Sequence, residues 1–217
     1  MGDGRYALAE GELLRTDANG SLISRAAIVS APLERQLEGA IRRATQGVPT
    51  FETAIENQIR RWWWTTGLVA DSERERLIVI GLVIPWLAAL RTDGNVEWVR
   101  LDRTGIDCCN SAVVANDGTL AHFSSCGRWI TFVTTEGNFV SSHDVDGEPA
   151  QLLTNGRGVA YVVDLAGRLL AYRPGVGPVL TVEVPHLWHA DVRDGILYTV
   201  IRHPSDGILV VAFREPG

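Results

Sequence analysis

Residues 77–100, LIVIGLVIPWLAALRTDGNVEWVR, carry the pattern that decides the fold. An aliphatic run from Leu77 to Ile80 meets a break at Pro85 and resumes from Trp86 to Leu90. It then reverses at Asp93-Gly94-Asn95 before a third run, Val96 to Val99. Short apolar runs bounded by proline and Asp-Gly read as antiparallel strands joined by hairpins, because Asn, Asp and Gly tolerate the positive φ that a tight reversal needs.

The pattern recurs in Tyr6–Arg25, Leu120–Ser142, Ala160–Val184 and from Leu197 to the last residue. Taking the second run as marker, Leu87, Ile130, Leu169 and Ile208 are separated by 43, 39 and 39 residues. Leu13 lies 74 before Leu87, one period plus an insertion of roughly 34. That period is the one expected of four-stranded propeller blades. Asn19-Gly20 and Glu136-Gly137-Asn138 repeat the hairpin of Asp93-Gly94-Asn95, and Asp117-Gly118 and Asp194-Gly195 mark another turn before the preceding strand. Leu68-Val69-Ala70 and Ala112-Val113-Val114 supply an innermost fourth strand. Alternation is only partial, as in Thr131, Val133 and Thr135 against Phe132 and Thr134, which fits sheets covered on both faces.

The sequence therefore predicts an all-β chain: one β-propeller domain over residues 1–217, of about five four-stranded blades. The first blade has little room for its innermost strand and the last stops where its outermost strand should begin, so either the ring closes imperfectly or the chain is a piece of a larger propeller.

Residues 31–64 break the β pattern and are expected to form a helical hairpin between the first and second blades. Leu33, Leu37, Ile41 and Ala44 recur at helical spacing, Glu38 stands four residues before Arg42, and the helix ends near Gly47-Val48-Pro49. Thr50 caps a second helix whose stripe is Phe51, Ile55, Ile59 and Trp62 or Trp63. The hairpin has two readings: a rim element packed on the blades, or a partner-binding arm built on Trp62, Trp63 and Trp64 with Arg60 and Arg61 beside them.

Composition narrows the function classes. Of 217 residues, 46% are apolar, enough to fill a core, and 20 arginines against 26 carboxylates leave a net charge of −6. No basic field exists to hold a nucleic acid. All 20 cations are Arg and none is Lys, a compositional bias that carries no function. The longest apolar run, Leu77 to Leu90, is interrupted by Pro85 and too short for the ~20 residues of a membrane span. The opening Met1-Gly2-Asp3-Gly4-Arg5 has no signal-peptide pattern. Cys108, Cys109 and Cys126 come without C-x-x-C or Cys/His zinc spacing, so no metal site is expected.

Candidate sites are few. His143-Asp144 with Asp146, and His189 with Asp191 and Asp194, pair a His with carboxylates that could orient it as a base. Asp at hairpin ends has the plainer task of forming turns. His186, Trp188, His189 and Asp191 are the expected ligand-contact patch, just before the innermost strand of the last repeat. Ser124-Ser125-Cys126-Gly127 is no nucleophile elbow, and neither HExxH nor a phosphate-binding loop occurs, so no catalytic residues are assigned.

Ala89 to Trp98, with its Ala-Leu, Gly94 and Trp98, resembles the signature of the PQQ-like (quinoprotein-type) β-propeller repeat, and Ser111 to Leu120 looks like the strand, Asp-Gly turn and strand that precede it. The resemblance is clearest over residues 67–147. It implies that Trp98 docks between blades and that the chain is a non-catalytic binding or scaffold module for protein–protein interaction, without a cofactor. It further implies a bacterial protein working outside the cytoplasm, periplasmic or extracellular. Two alternatives stand beside this. In a carbohydrate-binding propeller, Trp188, Trp129 and Trp86 would be stacking platforms. In a fragment or degenerate relative of a quinoprotein dehydrogenase, Cys108 and Cys109 would resemble the adjacent cysteines whose disulfide ring lies against the quinone, and PQQ or a metal ion would be the cofactor. Two adjacent buried thiols are the plainer reading of that pair.

Overall fold

The computed structural model describes residues 5–9, 12–27, 35, 65–81, 86–101, 110–114, 119–124, 128–193, 196–202, 205 and 207–214. The helical hairpin expected over 31–64 lies outside the described residues, apart from Arg35, which is helical. The chain divides into two compact units, Met1–Asn110 and Ser111–Gly217. Among the described residues no helix is long and apolar enough to cross a membrane.

In the first unit, β1 (Arg5–Ala9), β2 (Glu12–Thr16) and β3 (Leu22–Ala27) form one sheet, and β4 (Thr65–Asp71), β5 (Arg76–Gly81), β6 (Trp86–Arg91) and β7 (Val96–Leu101) form the next. The second unit holds three sheets. They are β8 (Asn110–Val114) with β9 (Leu120–Ser124), β10 (Trp129–Val133) and β11 (Phe139–Asp144); β12 (Pro149–Thr154) with β13 (Ala160–Asp164), β14 (Arg168–Arg173) and β15 (Gly177–Glu183); and β16 (Leu187–Arg193) with β17 (Ile196–Arg202) and β18 (Ile208–Arg214). Every sheet is an antiparallel meander in chain order, the form of a propeller blade.

Turn chemistry sets the register. Three hairpins close identically: Asp17 to Ser21, Arg91 to Asn95 and Thr134 to Asn138, where the first N–H donates to the last carbonyl and the fourth residue donates back to the first. That fourth residue is Gly20, Gly94 or Gly137, at φ +87°, +87° and +79°. A glycine there lets the ladder resume through a bulge, and the register slips just before each turn, between Arg15 and Thr16, Ala89 and Leu90, and Phe132 and Val133. In the second of these turns the Asn95 N–H donates to the Asp93 carboxylate and holds its pKa below the ordinary 3.8.

These turns also number the strands. In the second and third sheets the turn joins the third strand to the fourth, so β1 to β3 are the second, third and fourth strands of their sheet. At the other end β16 lies beside β12, the first strand of the sheet before it, so β16 to β18 are strands one to three. Among the described residues the first sheet thus lacks an innermost strand and the last an outermost one, as the sequence pattern predicts.

The core lies between sheets. From β13 and β14, Ala160, Val162, Leu170 and Tyr172 turn to Ile130 and Phe132 of the sheet before, while Tyr161, Val163, Leu169 and Ala171 turn to Ala190 and Leu197 of the sheet after. Burial on both faces explains why these strands are nearly continuously apolar, and each large side chain so buried contributes about 1.5–3 kcal/mol.

Buried charge is paired within each unit. The Arg76 Nε donates to Asp71 Oδ2 at 2.8 Å, and Arg76 Nη1 to Glu97 at 3.1 Å. In the second unit Arg168 donates from Nε to Asp164 Oδ2 at 2.7 Å, and from its other nitrogens to the side chain and carbonyl of Asp146. Trp98 is half-buried, and the Arg76 guanidinium lies 6.0 Å from its ring centre.

Candidate functional site

The connection from β15 to β16 shapes the candidate site. The Val184 N–H donates to Gly167, the Leu187 N–H to Val184, and the Arg202 N–H to the carbonyl of His186. His186 has φ +61°. It stands 39 residues after Gly147, which has φ +127° in the preceding connection between sheets. The neighbouring bond repeats at the same interval, with the Val145 N–H donating to Arg128 as the Val184 N–H donates to Gly167. His186 thus has a positive φ where the preceding repeat places Gly147, at a value within the left-handed region that His enters more readily than most side chains. Its ring is exposed.

Strand β16 then starts on a bulge. Its pairing with β17 slips between Leu187 and His189, leaving Trp188 without an opposite residue. The first strands β4 and β12 slip at the corresponding place, between Thr65 and Gly67 and between Pro149 and Gln151. Where those sheets carry Thr66 and Ala150, the last carries Trp188, and its side chain is 67% exposed. A bulge re-aims the side chain it carries, so a large aromatic surface stands in solvent at the entry of an innermost strand.

Of the four residues expected to form the ligand patch, His186, Trp188 and His189 all face solvent along this entry. Asp191 is half-buried and engaged otherwise: its Oδ1 accepts the Val192 N–H and its Oδ2 accepts Arg193 Nε, both at 2.8 Å. Of the stacking platforms that a carbohydrate reading would use, Trp129 is buried in β10, and the side chain of Trp86 lies outside the described residues. Trp188 alone of the three is a described, exposed ring.

His143, the histidine of the other His–Asp group, is an interstrand fixture. His143 Nε2 lies 3.0 Å from Ser141 Oγ, which accepts the Gly175 N–H at 2.9 Å, and the ring is stacked 6.4 Å from Tyr172 and edge-on 6.3 Å from Phe132. A Cβ on Gly177 would stand 3.2 Å from His143 Nδ1. Asp146 points outward and meets Arg168. Burial pushes the Tyr172 phenol above its ordinary 10.0, with Asp146 acting in the same direction and Arg168 opposing.

Arg60, Arg61, Trp62, Trp63, Trp64, Cys108, Cys109, Cys126 and Asp194 lie outside the described residues. Among the described residues no group of three or more His, Cys, Asp or Glu converges as metal ligands would.

No protein-family model matches the chain, and no curated protein does. Solved structures do. BamB from Moraxella catarrhalis superposes with a TM-score of 0.58 over 92% of this chain and 52% of its own, at 17% identity. BBS1N in complex with ARL6DN gives 0.57 over 92% and 59%, at 8% identity. The RRP9 WD40 repeats give 0.50 over 67% and 50%, at 14% identity. This chain thus spans between 50% and 59% of the length of these solved chains. At such identities the likeness shows the fold, a β-propeller.

Proposed function

We propose that this propeller is a non-catalytic scaffold that binds another protein, with Trp188 as the anchor and His186 and His189 beside it. The observation that carries the reading is the exposed Trp188 ring on a bulge where equivalent sheets hold Thr66 and Ala150. Large, rigid aromatics in exposed positions are the side chains on which protein interfaces concentrate their binding energy. BBS1N, a neighbour in fold, was solved in complex with another protein. The PQQ-like resemblance of Ala89 to Trp98 supports the same reading and would place the protein outside the cytoplasm.

A single observation favours a second reading: Trp188 could equally stack on a sugar ring. The two separate in one experiment. Immobilised chain and its Trp188→Ala variant are passed over a lysate of the source cells and, separately, over an oligosaccharide array. A protein retained by the parent and lost by the variant supports the scaffold. Oligosaccharide retention that depends on Trp188, with no protein retained, would replace it with the carbohydrate reading.

A further inference from the structure

The entry of β16 differs in chemistry from the entry of β12 in the sheet before it. Pairing aligns the two from the strand side: Leu187 opposes Ile201 as Pro149 opposes Asp164. One step outward, the Arg202 N–H donates to the His186 carbonyl as the Leu165 N–H donates to that of Glu148. The connection into β16 is one residue shorter, Val184 to Leu187 against Val145 to Pro149, so on this side His186 takes the place of Glu148. Trp188 thus replaces Ala150, Arg202 replaces Leu165, and His186 replaces a carboxylate that meets Arg128 at 3.2 Å.

These places stay in solvent when a further sheet follows. Strand β12 has β16 beside it, yet Leu165 is 72% exposed and Glu148 and Ala150 are exposed as well. The exposure of His186, Trp188 and Arg202 therefore does not depend on what lies beyond β18. His189 is different, because it stands where Gln151 reaches Ala190 of the next sheet.

The replacements reverse the local charge. A carboxylate is lost, a guanidinium is gained, and among the described residues no carboxylate pairs with Arg202. Of the acidic side chains close in sequence, Asp191 is bonded to Arg193, Glu183 lies opposite Arg168 on β14, and Asp206 lies outside the described residues. In a chain of net charge −6, an uncommitted cation beside an exposed indole suits a carboxylate. Arg presents a planar fork of N–H donors that matches one, and a histidine has a ring N–H in either tautomer.

We propose that the partner docks through an acidic segment, in which an apolar side chain packs on the Trp188 ring while a neighbouring Asp or Glu is bound by Arg202 and His186. This rests on the protein-binding reading of Trp188 and adds the partner's charge to it. Trp and Arg are the side chains in which interfaces concentrate their energy.

The test is selection from a displayed library of random peptides on immobilised parent, Arg202→Glu and Trp188→Ala, followed by titration of the most enriched peptide in free form. The parent is expected to enrich peptides with Asp or Glu beside an aromatic or aliphatic residue. Arg202→Glu should enrich Lys or Arg in that place, and Trp188→Ala neither. The free peptide should bind Arg202→Gln about tenfold more weakly than the parent or worse, and its affinity for the parent should fall with added salt. Unfolding midpoints equal to the parent's show that the variants fold. Selected peptides that need Trp188 but show no acidic bias, or that bind Arg202→Glu as they bind the parent, overturn the acidic segment and leave the protein-binding reading standing. A parent that enriches no peptide overturns both.

Discussion

The side-chain amide of Gln151 is bonded to both main-chain groups of Ala190, its Nε2 donating to the carbonyl oxygen at 2.8 Å and its Oε1 accepting the N–H at 3.2 Å. Gln151 stands on β12 and Ala190 on β16, so one amide acts as a rung of ladder between the innermost strands of neighbouring sheets. Ala190 is fully buried, and its peptide groups have no water to fall back on.

Gln151→Ala should therefore cost about 1–3 kcal/mol, the penalty for leaving buried peptide groups unpaired. Gln151→Glu should cost at least as much, since it removes the donor and turns an acceptor toward a carbonyl. Urea midpoints of the parent and both variants check this. A Gln151→Ala midpoint equal to the parent's would show that the amide bonds do not join the sheets.

The equivalence of Gly147 and His186 makes two opposite forecasts. At Gly147, φ is +127° and a Cβ would stand 2.6 Å from Asp164 Oδ2 and closer still to Arg168 Nη2. Gly147→Ala should thus destabilise by about 1–3 kcal/mol through backbone strain alone, and further through displacement of that ion pair. His186→Gly keeps a positive φ of +61° freely accessible, and stability should change by less than about 1 kcal/mol. Thermal unfolding of the two variants separates them. A large loss for His186→Gly would mean that its ring, rather than its φ, is what the connection uses.

Arg168 neutralises a carboxylate that has no access to solvent: the Asp164 side chain is 0% exposed, whereas that of Asp146 is 93% exposed. Breaking a buried pair strands a charge, while breaking an exposed one costs little. Arg168→Ala should lower the urea midpoint several-fold more than Asp146→Ala. Equal losses would show that the outer contact, and not Asp164, is what Arg168 stabilises.

Much of the fold was legible because its signals are local. Asp93-Gly94-Asn95 and its two relatives announce hairpins by backbone chemistry that needs no tertiary context, and their spacing gives the order of the strands. The site was less legible. His186 sits in a dense aromatic and polar stretch and reads as a ligand group, but aligning it with Gly147 at the 39-residue period shows a residue chosen partly for its φ. Asp191 reads as a partner of His189, yet it accepts from its own strand and from Arg193. Gln151 gives no sequence signal at all, because its partner lies 39 residues away and is a main chain that any residue could supply. The bulge that exposes Trp188 is also silent in sequence, since it is set by how β16 pairs with β17.

The Tyr172 phenol gives a pH dependence with a definite sign. Its folded pKa is raised above 10.0, first by burial, so the unfolded chain loses this proton at lower pH than the folded one. Stability from this group is full below pH 10 and falls as pH rises from there through the folded pKa. Urea midpoints between about pH 8 and 11 should decline more steeply for the parent than for Tyr172→Phe. Parallel declines would contradict the burial of that hydroxyl.

The most direct test of a protein-binding propeller anchored at Trp188 is a calorimetric titration. The protein retained by the immobilised chain is titrated, once purified, into the parent and into Trp188→Ala. A central aromatic anchor is worth about 2 kcal/mol or more, so the variant should bind roughly thirtyfold more weakly or worse, with an unchanged unfolding midpoint. Equal affinities for the two chains would contradict the assignment and move the binding surface elsewhere on the molecule.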